Sequence, residues 1–221
     1  MSWNEPFELS LKPFTYKYSQ PKEYRYTIDS IEFMWRLSKH LKATNNGRQL
    51  RVLDLCAGCG VLGFELNHWT RELIKSIDFV EIQRDFALHF QENLLITGNK
   101  NSNFKFHLCN FNQLPGLADF HGKFDLVVCN PPYFRPETGS LTQSDFRSRC
   151  HFLVEASFES LCDAILTSLA PNGEAYVLLR DLRAQGIDQI NELRLKSGKD
   201  FEVVELGKIR GTPVVRVKRQ G

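Results

Sequence analysis

The sequence lacks the features that mark membrane proteins and disulfide-rich secreted proteins. No apolar run approaches the roughly 18 to 20 residues that a membrane helix needs. The opening stretch, MSWNEPFELSLKPF, has neither the basic segment nor the apolar core of a signal peptide. The 6 cysteines stand mostly in apolar, strand-like or helix-like surroundings, where a free thiol behaves as a small hydrophobic group. We therefore expect a cytoplasmic protein without disulfide bonds.

An excess of charge of one sign is also missing. The 28 Lys and Arg residues face 26 Asp and Glu residues, so the net charge of +2 does not by itself indicate a polyanionic partner. Repeats and low-complexity linkers are absent, and 42% of the 221 residues are hydrophobic. This composition suits one compact domain over residues 1–221 and excludes a disordered or fibrous chain.

Strand-like and helix-like segments alternate along the chain. An irregular arm over residues 1–25 precedes a leading helix and turn over residues 26–50. Strands are then predicted at 51–56, 76–81, 104–109, 124–129 and 174–179, helices at 61–70, 85–97 and 152–169, and two last strands at 201–206 and 214–218. This order predicts an α/β fold with a Rossmann-like, seven-stranded, mostly parallel sheet, helices on both faces and an antiparallel C-terminal hairpin. Ligands of such sheets bind beyond the carboxyl ends of the strands.

A glycine-rich turn follows the first predicted strand. Gly58, Gly60 and Gly63 have the G-x-G-x-x-G spacing between a strand and a helix, where the backbone can turn sharply and present N–H groups to a ligand. Glu81 ends the second predicted strand, near where a ribose-binding acid belongs. A tight turn without any ligand is the alternative interpretation.

Asp54 helps to choose between a nicotinamide dinucleotide and S-adenosylmethionine as the ligand of this turn. An acid in an otherwise apolar strand is costly to bury unless it meets backbone donors or a cation. A carboxylate would repel a pyrophosphate, whereas S-adenosylmethionine carries an ammonium group near this point. Two roles stay open for Asp54, namely direct contact with the cofactor and ordering of the loop.

The tetrapeptide Asn130-Pro131-Pro132-Tyr133 ends the fourth predicted strand. Since proline has no N–H, the ladder must stop here, and the carbonyl oxygens of Asn130 and Pro131 remain available as acceptors. An amide oxygen and a carbonyl oxygen aimed at one point can accept both hydrogens of an –NH2 group, while the Tyr133 ring can stack on a planar substrate. This pattern favours methyl transfer to an amide or nucleobase amine, whose delocalised lone pair has to be oriented.

Together, these segments resemble the class I S-adenosylmethionine-dependent methyltransferases that carry an Asn-Pro-Pro-Tyr motif. The stretch 130–134, the following Arg147-Ser-Arg149-Cys-His151 and the front segment from Gln20 to Ser30 are similar to tRNA (adenine-N6) methyltransferases, which act next to the anticodon of a valine tRNA. The resemblance implies S-adenosylmethionine as the cofactor, adenine N6 as the acceptor and tRNA as the partner. It implies neither a membrane nor a metal.

The same resemblance implies roles for individual positions. The catalytic positions that orient the amine are Asn130, Pro131, Pro132 and Tyr133. The cofactor positions are Asp54, Cys56, Ala57, Gly58, Gly60, Glu81, Ile82, Asn110 and Asn130, where Asn110 stands in place of the more usual Asp but can still accept a hydrogen bond from adenine. The substrate positions are Phe134, Arg135, Arg147 and Arg149.

Three alternative functions remain open, of which one is an RNA-associated scaffold that binds the methyl donor without activity. Glutamine methyltransferases of release factors share the tetrapeptide, but they carry a sizeable helical domain ahead of the glycine loop, where this chain has only about 50 residues. A nicotinamide-dependent oxidoreductase would use the same glycine spacing. The pair Cys56 and Cys59 lacks the second half of a zinc site, so we expect no metal.

Two segments offer modest support for RNA. The tail after residue 206 has no acid and carries basic side chains, at Lys208, Arg210, Arg216, Lys218 and Arg219. The arm interleaves lysines with aromatic residues, which could contact phosphates and stack on bases or belong instead to a solvated face and a core. Helix packing, rather than a site, is expected for Phe86, Leu88, Phe90, Leu94 and Leu95.

Overall fold

The computed structural model describes residue 3 and residues 15–22, 26–98, 103–131 and 157–220. The helices in these ranges are α1 (Ile28–Thr44), α2 (Val61–Thr70), α3 (Asp85–Ile96), α4 (Phe158–Ser168) and α5 (Gln189–Ser197). The strands are β1 (Leu50–Leu55), β2 (Ile74–Glu81), β3 (Phe104–Leu108), β4 (Phe124–Cys129), β5 (Leu169–Leu178), β6 (Phe201–Ile209) and β7 (Thr212–Arg219). None of these helices combines the length and the apolar character that crossing a bilayer requires.

The strands form a seven-stranded sheet in the order β3-β2-β1-β4-β5-β7-β6. The first five strands in this order pair in parallel, and β7 is antiparallel to both β5 and β6. The predicted fold class is therefore confirmed, including the antiparallel hairpin at the end of the chain. Because β1 has β2 on one side and β4 on the other, the chain changes direction there, and such a switch point opens a crevice at the carboxyl ends of these strands.

Helices cover both faces of the sheet. On one face α1, α2 and α3 enclose an aromatic cluster around Phe33, Phe64 and Phe90. On the other face α4 and α5 contribute buried residues such as Leu161 and Leu193. The central strand β4 is buried at every position, which explains why its sequence is a continuous apolar run rather than an alternating one.

The structure corrects the predicted boundaries around β5. The strand begins at Leu169, directly after α4, where the prediction had a helix and a turn, and Leu169 pairs with Phe124. The register then shifts, so that Glu174 pairs with Leu126. The intervening bulge includes Asn172 with a φ of +61°. Sequence patterns located only the second half of the strand because Pro and Gly in a bulge are the same residues that mark a turn.

Two helices also differ from the prediction. Helix α4 starts at Phe158 behind a capping box formed by Ser157 and Ser160, and the predicted start at 152 lies outside the described residues. Helix α5 was not predicted. Its apolar face offers little beyond Ile190 and Leu193, both of which are buried, and a pattern that short gives a weak periodic signal.

One face of α3 contradicts the packing predicted for it. Leu88 and Leu95 are 67% and 81% exposed, whereas Phe86 and Phe90 are buried in the core. The helix covers the β2 and β3 side of the sheet with one face only, and the two exposed leucines lie on the opposite face. Apolar side chains that stand singly on a surface are common in globular proteins.

Candidate active site

The loop between β1 and α2 contains three left-handed residues. Cys56, Gly58 and Gly60 have φ angles of +60°, +54° and +85°. A Cβ atom on Gly60 would lie 2.6 Å from the Phe64 ring, and one on Gly63 would lie 2.3 Å from the Phe79 ring. The predicted glycine spacing thus meets two separate needs: a sharp turn before α2 and close packing of α2 on the aromatic core.

Glu81 ties this loop to the end of β2. Its buried carboxylate accepts a hydrogen bond from the Gly58 N–H at 2.8 Å and another from the Gln83 N–H at 2.8 Å. Burial raises the pKa of Glu81, and these two backbone donors lower it in part. The acid therefore stands beside the glycine turn, at the end of the neighbouring strand.

Asp54 supports the loop from beneath. The side chain is fully buried in β1, and its Oδ2 accepts a hydrogen bond from the Gly63 N–H at 2.8 Å. Its Oδ1 is buried and has no hydrogen-bond partner among the described residues. Burial raises the pKa of Asp54 to about 7, and the nearby Glu81 carboxylate adds to the rise. The contact with Gly63 ties β1 to the first turn of α2, directly after the loop. Both roles predicted for Asp54 stay predictions.

The remaining predicted cofactor positions follow the same edge of the sheet. Ala57 donates its N–H to the Val80 carbonyl at 3.0 Å, which places the loop against β2. Ile82 directly follows Glu81 and is partly buried. Asn110 follows β3 and caps a short 3-10 helix, Phe111–Gly116, by accepting a hydrogen bond from the Asn112 N–H at 3.1 Å. The ends of β1, β2 and β3 thus bring these side chains to one crevice.

Asn130 reaches the same crevice from β4. Leu55 and Cys129 are register partners, so Cys56 and Asn130 leave neighbouring strands side by side. The Asn130 Nδ2 group donates a hydrogen bond to Ser30 Oγ at 3.2 Å, and Pro131 is buried. The first half of the tetrapeptide therefore lies next to the glycine loop. Its second half, Pro132 and Tyr133, lies outside the described residues, as do Phe134, Arg135, Arg147 and Arg149.

The cysteines in the described part of the chain do not form disulfide bonds. Cys56, Cys59, Cys109, Cys129 and Cys162 are all free thiols there. The Cys129 thiol is fully buried beside Cys56, and burial raises its pKa well above the ordinary value of 9.0. No group of three or more His, Cys, Asp or Glu side chains in the described ranges could hold a metal ion.

Most of the basic side chains of the tail form ion pairs with acids. Four cations form ion pairs: Lys208 with Asp181 at 3.1 Å, Arg210 with Asp29 at 3.6 Å, Arg216 with Glu202 at 2.7 Å and Lys218 with Glu174 at 3.5 Å. The fifth, Arg219, donates a hydrogen bond to the Leu169 carbonyl at 2.6 Å. Four of the five cations in this run are therefore paired with acids, three of which lie outside the β6–β7 hairpin and one of which, Glu202, lies on β6 itself.

Part of the N-terminal arm belongs to the core. Tyr18 is 5% exposed, and its O–H donates a hydrogen bond to Glu65 at 2.8 Å. Tyr16 is hydrogen-bonded to His68 at 2.9 Å. For Tyr18, the structure shows the core interpretation rather than base stacking, whereas Tyr16 is only partly buried against the core.

Sequence reasoning missed two polar contacts around the crevice. The fully buried Asn93 donates from Nδ2 to the carbonyls of Cys59 and Ser19, at 3.0 Å and 2.9 Å. It thereby joins the glycine loop to the arm, and its signal was a polar residue on the same face of α3 as Phe86 and Phe90. The second contact joins Asn130 to Ser30. Ser30 is part of the front segment that resembles the tRNA methyltransferases, but no local pattern pairs it with Asn130.

The chain is similar to a known family and to curated methyltransferases. Residues 22–146 match the family described as Conserved hypothetical protein 95. The tRNA1(Val) (adenine(37)-N6)-methyltransferase of Shewanella putrefaciens strain CN-32 is 29% identical over 168 residues, which cover 76% of this chain and 67% of that relative. This relative bears out the resemblance that was drawn from the motifs.

Solved structures of methyltransferases share the fold. The magnesium protoporphyrin IX methyltransferase (ChlM) of Synechocystis PCC 6803, solved with bound SAM, matches with a TM-score of 0.57 and 16% identity, covering 87% of this chain and 81% of that one. The ribosomal protein L11 methylase of Lactobacillus delbrueckii subsp. bulgaricus matches with a TM-score of 0.57 and 15% identity, covering 89% and 81%. At these identities the likeness concerns the fold.

Proposed function

The chain belongs to the family described as Conserved hypothetical protein 95, and from this premise we propose that it is an S-adenosylmethionine-dependent methyltransferase acting on adenine N6 of a tRNA. The name of the Shewanella putrefaciens relative supports the substrate. Cellular tRNA is the partner that follows from this proposal, and the cytoplasm is the compartment.

One observation carries the proposal. Asn130 and Pro131 directly follow β4, beside the loop that follows β1, because Leu55 and Cys129 are in register. An amine held by Asn130 and Pro131 would therefore face a methyl donor held by the glycine loop. Proximity and orientation of two reactants account for much of the acceleration in group transfer.

The residues of the crevice fit S-adenosylmethionine. The left-handed backbone at Gly58 and Gly60 turns the loop sharply at the end of β1, the Glu81 carboxylate can hold ribose hydroxyls, and Asn110 can accept from the adenine amino group. Oδ1 of Asp54 has no hydrogen-bond partner among the described residues, and the charged form of this carboxyl group, which a nearby cation would favour, suits a cationic ligand. When bound, the cofactor supplies an electrophilic methyl group on a sulfonium centre.

The protein itself orients the acceptor. The side-chain oxygen of Asn130 and the backbone carbonyl of Pro131 accept the two hydrogens of the amine, which concentrates electron density on nitrogen and turns its lone pair towards the methyl group. A strong general base is not needed, because the amine loses its proton only after the new bond has formed. The stacking role of Tyr133 is part of the same proposal.

Replacement of Asn130 tests this function. Asn130→Ala should lower the rate constant for methyl transfer to an unmodified valine tRNA transcript by about 100-fold or more, since one preorganised polar contact is removed from the reacting centre. Binding of S-adenosylhomocysteine, measured by calorimetry, should stay unchanged. Asn103→Ala is a matched control, because the Asn103 amide donates to the Lys75 carbonyl at the opposite end of the sheet.

Near-normal methylation by Asn130→Ala would contradict the assignment. Incubating the protein and labelled donor with total RNA, and separately with total protein, distinguishes the tRNA substrate from the glutamine alternative. If label appeared in protein alone, the acceptor would be a glutamine side chain and not adenine. Tight binding of NADH instead of S-adenosylhomocysteine would favour the oxidoreductase.

A further inference from the structure

A cavity of about 370 Å³ lies at the end of the sheet opposite the glycine loop. It is bounded by the C-terminal part of α1, the amino-terminal ends of β1 and β4, and the neighbouring parts of β5 and β7. A six-residue parallel strand such as β1 spans about 17 Å, so the cavity is well separated from the crevice beside Asn130. Its chemistry therefore needs an explanation apart from methyl transfer.

Strand pairing brings two cations to the wall of this cavity. Arg216 and Lys218 stand two positions apart on β7, so their side chains lie on one face of the sheet. Their register partners on β5 are Tyr176 and Glu174, which places the pair on the face that α1 covers, and Lys218 also pairs with Glu174 at 3.5 Å. Arg48, between α1 and β1, adds a third cation to the lining.

The two acids of the lining are already engaged by protein groups. Asp125 accepts hydrogen bonds from the backbone N–H and the Nε of Arg51, both at 3.0 Å, and pairs with Arg48. Glu174 accepts a hydrogen bond from the Tyr176 hydroxyl at 2.8 Å. The lining thus holds three cations against two acids. An excess of positive charge in a concave site favours a ligand that carries negative charge.

The Arg216 guanidinium has donors that the protein does not use. Nη2 donates to Glu202 of β6 at 2.7 Å, and the buried Nε has no hydrogen-bond partner among the described residues. A guanidinium carries five N–H donors, and a donor left without a partner in a protein interior costs free energy that a ligand oxygen would recover.

His40 contributes an imidazole from α1 to the same cavity. Its ring packs against Tyr176 with a centroid distance of 5.9 Å, and no hydrogen bond joins either ring nitrogen to a described residue. Burial lowers the pKa of His40, the Glu174 carboxylate opposes this shift, and the Arg216 guanidinium adds to it. The ring is therefore mostly neutral at pH 7 and offers one N–H donor and one acceptor nitrogen.

We propose that this cavity binds a phosphoryl group, with Arg216 and Lys218 supplying the positive charge and His40 a hydrogen bond. Phosphate oxygens are strong acceptors for guanidinium and ammonium donors, and a protonated phosphate oxygen can also donate to the imidazole. The phosphoryl group can belong to a small molecule or to the backbone of an RNA. The site does not depend on the proposed function, because phosphate binding is measured without methyl transfer.

Calorimetric titration with inorganic phosphate, at constant ionic strength, tests the site. The wild-type protein should bind phosphate saturably, and Arg216→Gln should weaken this binding by about 10-fold or more, since charge-assisted hydrogen bonds are lost. His40→Phe keeps a ring against Tyr176 and removes both nitrogens, so it should weaken binding by roughly 3- to 10-fold.

Arg194→Gln is the matched control, because Arg194 is an exposed cation of α5 that does not line the cavity. This variant should bind phosphate as the wild type does. Thermal melting of all three variants shows whether each is folded at the titration temperature.

Filter binding of the unmodified valine tRNA transcript distinguishes the two sources of the phosphoryl group. If the RNA backbone enters the cavity, Arg216→Gln and His40→Phe should both weaken tRNA binding by about 3-fold or more, and Arg194→Gln should not. If the natural ligand is a small molecule, all three variants should bind tRNA as the wild type does, while the loss of phosphate binding persists.

Three results would overturn the phosphate site: no saturable binding of phosphate by the wild type, wild-type affinity in both Arg216→Gln and His40→Phe, or an equal loss in Arg194→Gln. A wild-type protein that binds phosphate with the expected response to these substitutions, but does not methylate tRNA, would support the site and overturn the proposed function alone.

Discussion

At the scale of single residues, Asp54 shows how burial changes the acid–base behaviour of a carboxyl group. The fully buried side chain receives one backbone hydrogen bond, from Gly63, and stands near a second carboxylate, that of Glu81. Desolvation outweighs the single donor, so the pKa of Asp54 rises from 3.8 to about 7. Near neutral pH the group is therefore a mixture of neutral and charged forms.

This shift predicts a specific dependence of stability on pH. Between pH 3.8 and about pH 7 the folded state holds a proton on Asp54 that the unfolded chain has released. Stability therefore falls as the pH rises through this window and levels off above it. In Asp54→Asn the titration is absent, so the unfolding free energy of wild type minus that of the variant should fall by up to about 4 kcal/mol between pH 4 and 8.

Urea denaturation at several pH values measures this difference. The exposed Asp119, replaced by Asn, provides the matched control. A difference between wild type and Asp54→Asn that stays flat across the window, or rises with pH, would contradict the protonation assigned to Asp54.

At the scale of elements, the packing of α2 against the sheet explains the third glycine of the loop motif. Gly63 lies inside the helix, and its φ is not positive. The space beside it is filled by the Phe79 ring of β2 and by Asp54 Oδ2. Close approach of helix and strand, rather than a turn, requires glycine at this position.

Gly63→Ala should therefore destabilise the protein, although alanine favours helices over glycine by about 1 kcal/mol. A Cβ atom 2.3 Å from the Phe79 ring must displace it, and overpacking of this kind costs about 1 to 3 kcal/mol. Urea denaturation measures the change, and combining the substitution with Phe79→Leu should recover part of the loss.

Gly116→Ala is the comparison for this experiment, because a Cβ atom there meets nothing within 4 Å. It should change the unfolding free energy by less than about 0.5 kcal/mol. If the Gly63→Ala protein were as stable as wild type, the Phe79 ring would move aside at no cost in free energy, and the prediction would be wrong.

At the scale of the whole molecule, the N-terminal arm is fastened to helices that follow the glycine loop. Glu65 of α2 is fully buried and accepts hydrogen bonds from Thr15, Tyr18 and Trp69, at 2.6, 2.8 and 3.2 Å. Asn93 of α3 continues the connection from Ser19 to the Cys59 carbonyl. Polar contacts inside the core thus connect the arm to α2, to α3 and to the glycine loop.

Tyr18→Phe should lower the unfolding free energy by about 1 to 3 kcal/mol, because it removes a donor from a buried carboxylate and leaves the ring in place. Tyr16→Phe is the matched control. The Tyr16 hydroxyl pairs with His68 in an exposed position, so its loss should cost less than about 1 kcal/mol. Chemical denaturation of both variants measures the difference, and equal losses would show that burial of Glu65 does not strengthen the contact.

Much of the fold was predictable because its signals are local. β4 and α2 match their predicted ranges without error, since a continuous apolar run and a glycine turn before a helix are read from neighbouring residues. Helix α5 was not predictable, because two apolar residues give little periodic signal. The start of β5 was not predictable, because its bulge contains the residue types that also mark a turn. The exposure of Leu88 and Leu95 on α3 was not predictable either, because local sequence does not show which face of a helix packs on the sheet.

The sequence by itself determined where the backbone turns and where the ladder stops. Left-handed angles at Gly58 and Gly60, and prolines at 131 and 132, act through the geometry of their own residues. Tertiary structure alone decided which side chains meet: Ser30 and Asn130 are 100 positions apart, and the cations of the tail find acids on other strands and loops. Such pairs depend on how whole elements pack, and no local property of the chain encodes that arrangement.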